Sequence, residues 1–215
     1  MNSPLLVPYY EHPSVRPAEW QALIAAAPHL YGVVLNPASG PGDHRDEAFV
    51  EVAARLRTAG VRVLGYVDTD YARRPHTDVV RDLTRHRDWY GTDGFFLDQV
   101  ATGEQEFTYY RHLATTAGGN GSGSSTVALN HGTTPHPSYA RIADVLVTFE
   151  GHWTTYRRRP PQPWRGGTDV RLCHLVYGVP AGAGPIGEGA DLYCAVPGVG
   201  DHPWGTLPHT LEPAR

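Results

Sequence analysis

The chain repeats one pattern along its whole length: a short apolar run rich in β-branched and aromatic residues, followed by a helix-like or turn-rich stretch. Eight such runs occur: Leu5–Tyr10, Tyr31–Asn36, Val61–Val67, Gly94–Asp98, Thr126–Asn130, Val145–Glu150, Leu172–Tyr177 and Asp191–Val196. Strands that alternate with helical crossovers pair in parallel. Because eight such strands close a barrel, the repeat predicts an α/β fold, a (β/α)8 TIM-type barrel, built as one domain over residues 1–215.

A barrel made from 215 residues must be compact, because about 250 residues is typical for this fold. Apolar spacing and capping residues predict helices in the first half of the chain, whereas proline and glycine degrade the later ones. The specific predictions are helices over Pro17–Ala27 and Glu104–Ala117, helix caps at Asp43 and Thr77, a flexible connector over Gly118–Ser125, and at most a weak helix over Ala181–Gly189.

Composition excludes several classes of function. The net charge is −4 and all 18 basic residues are arginine, so Schiff-base chemistry and a phosphate-binding loop, which both need lysine, are excluded. The chain lacks a long basic stripe, and its apolar runs are too short to span a bilayer. We therefore expect neither nucleic acid nor a membrane as a partner, and we expect a monomer that needs no cofactor.

The first residues of the chain and its two cysteines do not indicate a particular function. Met1–Pro4 leads directly into the first apolar run, so the chain is expected to be cytoplasmic, or secreted with its leader removed. Cys173 and Cys194 fall on neighbouring predicted strands. Their expected role is that of small buried hydrophobic residues, and a disulfide between them is possible but not indicated.

Two carboxylates end apolar runs and are the predicted catalytic residues. Asp98 follows Phe-Phe-Leu, and Glu150 follows Val-Thr-Phe. In such barrels the active site lies where the strands end, and burial among aromatic residues can separate two carboxyl pKa values into an acid and a base. This arrangement suits the cleavage of a glycosidic bond. The alternative is that either residue caps a helix or stabilises a loop.

Further polar and aromatic residues lie at the same strand ends and are predicted to bind substrate. Flat rings beside hydrogen-bonding groups suit the apolar faces of sugars. Asn36 and Asn130 could instead serve as turn residues, and any single ring could be ordinary packing. The predicted substrate-binding residues are Tyr10, Asn36, Tyr66, Asp68, Gln99, Asn130, Trp153 and Tyr177, and Tyr71 is a further aromatic residue at this rim.

The 12 histidines raise the question of a metal. Neither a His-x-His pair at the first strand nor a His-Glu-x-x-His motif occurs, so no metal site is predicted. A different barrel chemistry, such as metal-assisted deacetylation or a lyase reaction using His131 or His174, stays open as an alternative.

Seven motifs in order along the chain resemble those of the spherulin-4-like proteins, the spherulation-specific family 4. They are Leu5–Pro8, Asn36–Gly42, Gly65–Val67, Trp89–Asp98, Asn130–Thr133, Phe149–Gly151 and His174–Gly178. The resemblance implies a (β/α)8 barrel of a glycoside hydrolase clan. Its characterised members cleave α-1,4-linked N-acetylgalactosamine or galactosamine polymers of fungal exopolysaccharide. By motif, Asp98 and Glu150 occupy the places of the family's acidic residues.

One position departs from the family pattern. The fourth strand of these relatives usually ends in Asp-Glu, whereas here it ends in Asp98-Gln99. A glutamine side chain forms hydrogen bonds but does not exchange a proton at ordinary pH. The sequence thus predicts an endo-acting glycosidase on a galactosamine-type polysaccharide, with a catalytically silent carbohydrate-binding barrel as the alternative.

Overall fold

Eight parallel strands form a closed barrel in the computed structural model of the chain, which describes residues 3–118, 125–160, 164, 169–184 and 186–211. Each strand pairs with the next along the chain, and the last pairs with the first. The strands are β1 Leu5–Tyr9, β2 Leu30–Leu35, β3 Arg62–Asp68, β4 Gly94–Asp98, β5 Thr126–Asn130, β6 Val145–His152, β7 Arg171–Tyr177 and β8 Leu192–Ala195. The predicted (β/α)8-type barrel is confirmed.

Among the described residues, the α-helices of two turns or more all lie in the first half of the barrel, and a single helical turn follows β6. They are α1 Pro17–Ala25, α2 Glu47–Thr58, α3 His76–Tyr90, α4 Phe107–Ala117 and the single turn α5 Trp153–Tyr156. The described residues of 181–189 form no helix, and most of the predicted connector 118–125 lies outside the described residues. Within the described part of the chain, no helix is long and apolar enough to cross a membrane.

Three predicted helix starts were wrong. The cap of α2 is Asp46, not Asp43, because the Oδ1 atom of Asp46 accepts hydrogen bonds from the backbone of Ala48 and Phe49. Thr77 lies inside α3, which begins at His76 after a proline and has no side-chain cap. The fourth helix begins at Phe107 rather than Glu104, after a turn. Cap residues compete over a few positions, and tertiary contacts select one.

Alternation along β3, β4 and β5 determines which side chains enter the barrel. Leu64, Phe96 and Ala128 are buried in the central core, while Leu97 and Leu129 pack outside against the helices. Since strand residues two apart share a face, the residues that follow the first three by two positions also point inward. Those residues are Tyr66, Asp98 and Asn130, at the carboxyl end of the barrel.

A β-bulge changes this alternation in β6. The pairing with β7 runs Val147 to Cys173, then skips a residue and resumes with Phe149 opposite His174 and Glu150 opposite Leu175. A bulge inserts one residue and re-aims the side chains beyond it. Val147 and Glu150 therefore both face the interior although they are three residues apart, and Phe149 packs outside against Tyr156.

The barrel closes weakly between β1 and β8, where Leu5 and Tyr193 form the described register pair. The chain after β8 reinforces this seam. A 3-10 turn over Pro203–Gly205 lies beside β1, and the backbone N–H of Tyr10 donates to the carbonyl of Trp204 at 3.1 Å. The C-terminal segment thereby contributes to the carboxyl end of the barrel.

Cys173 on β7 and Cys194 on β8 are both buried and both free thiols. Burial raises the pKa of each thiol above its ordinary value. They serve as small apolar residues in the interior, as expected from their positions in the apolar runs.

Candidate active site

The two predicted catalytic carboxylates meet on the amide of Asn130. The Nδ2 atom of Asn130 donates to Oδ1 of Asp98 at 2.7 Å and also to Oε2 of Glu150. The three residues come from β4, β5 and β6, so the middle strand supplies the bridge. Because both acceptor oxygens bond one nitrogen, they lie within about 5 Å of each other.

The orientation of this amide is determined by a backbone contact. The Oδ1 atom of Asn130 accepts the N–H of Gly132 at 3.1 Å, so the NH2 group must face the carboxylates. Gly132 has a φ of +64°, which favours glycine, and its carbonyl accepts the N–H of Glu150 at 3.0 Å. The turn after β5 therefore aligns both Asn130 and Glu150.

Asp98 is held by three donors, from β3, β5 and the residue that follows β4. The hydroxyl of Tyr66 donates to its Oδ2 atom at 2.8 Å, Asn130 donates to Oδ1, and the backbone of Gln99 adds a further hydrogen bond. Burial is the largest influence and raises the pKa of Asp98, with the negative charge of Asp68 acting in the same direction, while the three donors oppose the shift.

Glu150 is the more strongly perturbed carboxyl group. Burial, followed by the negative charge of Asp98, raises its pKa from 4.5 to about 7, against hydrogen bonds from Asn130 and Trp204. Asp98 accepts more hydrogen bonds than Glu150, and hydrogen bonds to a carboxylate favour its charged form. When the pair holds one proton, we therefore place that proton on Glu150.

This raised pKa predicts a pH-dependent stability. A folded-state pKa above the unfolded value contributes stability that is fully present below pH 4.5 and is lost as the pH rises through about 7. Glutamine cannot ionise, so Glu150→Gln removes this pH-dependent loss. The change in the free energy of unfolding that the substitution causes should therefore be more favourable at pH 8 than at pH 4, by up to about 3 kcal/mol. Urea denaturation at both pH values tests this, and an equal effect at the two values would contradict it.

Tyr10 and Tyr177 lie at the same end of the barrel. Tyr10 packs edge-on against Tyr66 with ring centroids 5.6 Å apart, and burial together with the charges of Asp98 and Glu150 raises its pKa. Tyr177 ends β7 and contacts the Trp204 ring edge-on at 6.2 Å. Both rings therefore contact residues that bond the carboxylate pair.

Asn36 and Asp68 use side-chain oxygens within their own loops. The Oδ1 atom of Asn36 accepts the backbone N–H of Gly40 at 2.7 Å, which is the turn role that the sequence left open. The Oδ1 atom of Asp68 accepts the N–H of Asp70 at 2.8 Å. Asp68 is nevertheless close enough for its charge to influence Asp98.

Gln99 adopts a left-handed backbone conformation, with φ at +50°. Its carbonyl accepts hydrogen bonds from the hydroxyl of Thr69 at 2.9 Å and from the backbone of Tyr71 at 2.8 Å. Such strain persists where the surroundings determine the conformation, often at functional sites. The loop after β3 therefore determines the backbone that follows Asp98.

Trp153 lies on the other side of Glu150, as the first residue of α5. Its ring stacks on Tyr156 with centroids 6.1 Å apart, and Arg157 lies over it at 5.8 Å. Together with Glu150 and Arg159 these residues line a cavity of about 1370 Å³. The cavity reaches Glu150 but not Asp98, and its lining includes Phe149, Tyr156 and His174 on the outer side of β6 and β7.

Trp204 is a site residue that sequence reasoning missed. Its Nε1 atom donates to Oε1 of Glu150 at 3.2 Å, and the side chain is buried. It lies after β8, 54 residues along the chain from Glu150. It does not end a predicted strand. It stood out in the sequence only by its residue type, as a lone tryptophan in a proline- and glycine-rich stretch.

The histidines proposed for the alternative chemistry have other partners. The Nδ1 atom of His131 contacts the carbonyl of Ala101 at 2.9 Å, and His174 lies on the outer face of β7, 3.1 Å from the hydroxyl of Tyr156. Burial lowers the pKa of each to about 4. Among the residues that the structure describes, no group of three or more His, Cys, Asp or Glu side chains could hold a metal ion.

The fold and the site together define a (β/α)8 barrel with an amide-bridged carboxylate pair at the carboxyl ends of its strands. The chain belongs to the spherulation-specific family 4 (Spherulin4), which it matches over residues 4–195. The family resemblance found in the motifs is thereby confirmed.

Individual relatives agree with this assignment. The chain is 33% identical to Spherulin-4 of Physarum polycephalum over 150 residues, which is 68% of this chain but 44% of that protein. It is 25% identical to Sph3 of Aspergillus clavatus, solved in complex with GalNAc, with a TM-score of 0.79 and coverage of 97% and 94% of the two chains.

More distant structures share the fold alone. The C-terminal domain of a chitinase-like protein from Desulfitobacterium hafniense matches with a TM-score of 0.53 at 12% identity, over 81% of this chain and 67% of that one. The spore cortex-lytic enzyme SleL of Bacillus cereus matches with the same TM-score at 14% identity, over 81% and 50%.

Proposed function

We propose that this protein is a glycoside hydrolase that cleaves within an α-1,4-linked N-acetylgalactosamine or galactosamine polysaccharide. The observation that carries the proposal is the pair of carboxylates, Asp98 and Glu150, held together by Asn130. Glycosidases of the common types use two carboxyl groups flanking the scissile bond, one of which must be protonated. A pKa of about 7 allows Glu150 to hold that proton near neutral pH.

In this mechanism Glu150 is the general acid and Asp98 is the nucleophile or its helper. Glu150 donates its proton to the glycosidic oxygen as the bond to the sugar breaks. Asp98, kept anionic by Tyr66 and Asn130, attacks or stabilises the developing positive charge at the anomeric carbon. The nearest oxygens of the two carboxyl groups lie within about 5 Å of each other, which favours retention of configuration, since inversion needs about 6.5–9.5 Å.

The substrate class rests on family membership and on one structural relative. The chain belongs to the spherulation-specific family 4, and the similar Sph3 structure holds GalNAc. Aromatic rings at the carboxyl end of the barrel, including Tyr10 and Tyr177, provide flat apolar surfaces of the kind that sugar rings cover.

Release of reducing ends from purified α-1,4-galactosaminoglycan, acetylated and deacetylated, tests the proposal. Turnover by the wild-type protein is the expected result, and the identity of the first product anomer, read by NMR, tests retention. Saturable binding with no turnover on either polymer would overturn the proposal in favour of the silent carbohydrate-binding barrel.

Gln99→Glu separates these two outcomes. The carboxylate pair is complete without Gln99, so this substitution should change an existing turnover by less than about tenfold, well under the 10²–10⁴-fold range of a lost proton donor. Turnover that appears only in Gln99→Glu would instead identify a barrel silenced at this position.

Trp204→Phe is predicted to shift the pH profile of kcat/KM. The substitution keeps an aromatic ring beside Tyr177 but removes the N–H that donates to Glu150. Because that hydrogen bond favours the charged carboxylate, its loss raises the pKa of Glu150, and the alkaline limb should move upward from about 7 by roughly one pH unit. Trp89→Phe on α3 is the matched control. An unmoved alkaline limb in Trp204→Phe would contradict this role.

A further inference from the structure

The loop after β3 contains the most unusual backbone of the described chain. Asp70, Tyr71 and Ala72 have φ angles of +44°, +54° and +68° in succession. For residues other than glycine, the left-handed conformation is sterically unfavourable and normally occurs as single residues. Such a run persists only when neighbouring contacts determine it.

Those contacts attach the turn to the candidate active site. The backbone N–H of Thr69 donates to the carbonyl of Asp98 at 3.0 Å, and that of Tyr71 donates to the carbonyl of Gln99 at 2.8 Å. The hydroxyl of Thr69, a fully buried residue, donates to the same two carbonyls at 2.9 Å. The backbone of Tyr71 therefore lies directly beside Gln99, the residue that follows Asp98.

Hydrogen bonds also fix the residues before and after the turn. The guanidinium of Arg74 donates to the carbonyl of Asp68 at 2.6 Å and to Asp82 at 2.6 Å, and the backbone N–H of Asp70 donates to the side chain of Asp68. The left-handed run is thus a rigid feature and not a free loop.

The turn presents one large aromatic side chain to solvent, the ring of Tyr71, beside the exposed charged side chains of Asp70 and Arg73. Its side chain is 50% exposed, and among the described residues the other exposed large hydrophobic side chains are two valines. The guanidinium of Arg73 lies 5.5 Å from the ring centroid and pairs with Asp70. The ring therefore has an open surface flanked by a cation and a carboxylate, which can bond the hydroxyl or amide groups of a ligand.

We propose that Tyr71 is the stacking platform of a separate sugar subsite, on the β3–β4 side of the barrel mouth. This inference rests on the proposed function, and its ligand is a further unit of the same amino-sugar polymer, beyond the units that flank the cleaved bond. A rigid, amphipathic ring contributes contact area with little loss of conformational entropy, which gives the strained turn a function.

The position of this subsite gives the bound polymer a direction across the mouth. Tyr71 follows β3, Asp98 ends β4, Glu150 lies on β6, and Tyr177 ends β7. A polymer that covers the rings of Tyr71 and Tyr177 therefore passes over the carboxylate pair. Binding should consequently strengthen with chain length until the subsite at Tyr71 is filled.

Isothermal titration calorimetry on the Glu150→Gln background tests this, with α-1,4-linked N-acetylgalactosamine oligosaccharides of increasing length. Adding Tyr71→Ala should weaken binding of the longer oligosaccharides about tenfold and leave that of the shortest binding oligosaccharide unchanged. Tyr71→Phe should keep the length dependence. Tyr71→Gly removes the ring while accepting the left-handed backbone, so it separates loss of stacking from loss of fold.

Tyr31→Ala is the matched control. Tyr31 also carries arginine on its ring, with Arg62 at 4.4 Å, but it lies at the amino end of β2, on the opposite face of the barrel. Equal affinities for Tyr71→Ala, Tyr71→Gly and the parent at every length would overturn the subsite, as would the absence of binding at any length. Length-dependent binding that requires Tyr71 in a protein without turnover would instead retain the subsite and refute the hydrolase.

Discussion

Glu150→Gln is expected to reduce turnover of the galactosaminoglycan by about 10²–10⁴-fold, the range that a positioned proton donor provides. The substitution preserves size, and the single amide oxygen can still accept a hydrogen bond from Asn130 or Trp204, but it removes the proton that leaves with the glycosidic oxygen. Reducing-end release under saturating polymer measures the loss in kcat.

The acid role predicts how this loss depends on the leaving group. An aglycone of low pKa, such as a nitrophenol, departs without protonation, so Glu150→Gln should retain more of its activity on such a substrate than on the polymer. Glu51→Gln, on the exposed face of α2, is the matched control and should be unaffected. An equal loss on both substrates would exclude Glu150 as the proton donor.

Asp98→Asn is the second substitution with a large expected effect, a loss of turnover of at least about 10²-fold, because it removes the anion that attacks or stabilises the anomeric carbon. Here an activated leaving group should not restore activity, since the missing group acts on the sugar and not on the aglycone. This contrast with Glu150→Gln assigns the two roles by experiment.

A charge effect accompanies the loss in Asp98→Asn. The negative charge of Asp98 contributes to the raised pKa of Glu150, so its removal should lower that pKa from about 7 towards the ordinary value, although burial keeps it above 4.5. Carbon-13 NMR of labelled glutamate side chains measures the titration. A pKa of Glu150 that stays unchanged in a folded Asp98→Asn protein would contradict the electrostatic coupling of the pair.

Some of this site could be predicted because it depends on local periodicity. Tyr66, Asp98 and Asn130 each follow a buried residue by two positions in a regular strand, so their inward direction follows from the pleat. Helix starts were harder to predict from the sequence. Asp43 and Asp46 are of the same residue type, three positions apart. The contact of Asp46 with His12 at 3.0 Å involves a distant part of the chain.

The sequence by itself determined the eight strands, their parallel closure and the polar residues at their ends, because each depends on apolar spacing within a few residues. The tertiary structure alone decided how these residues meet. Simple alternation from Val147 would turn Glu150 outward, and the bulge in β6 brings it inside. Trp204 reaches Glu150 only because the barrel closes, and the high pKa of Glu150 arises from burial and charge at a distance, which no short sequence pattern encodes.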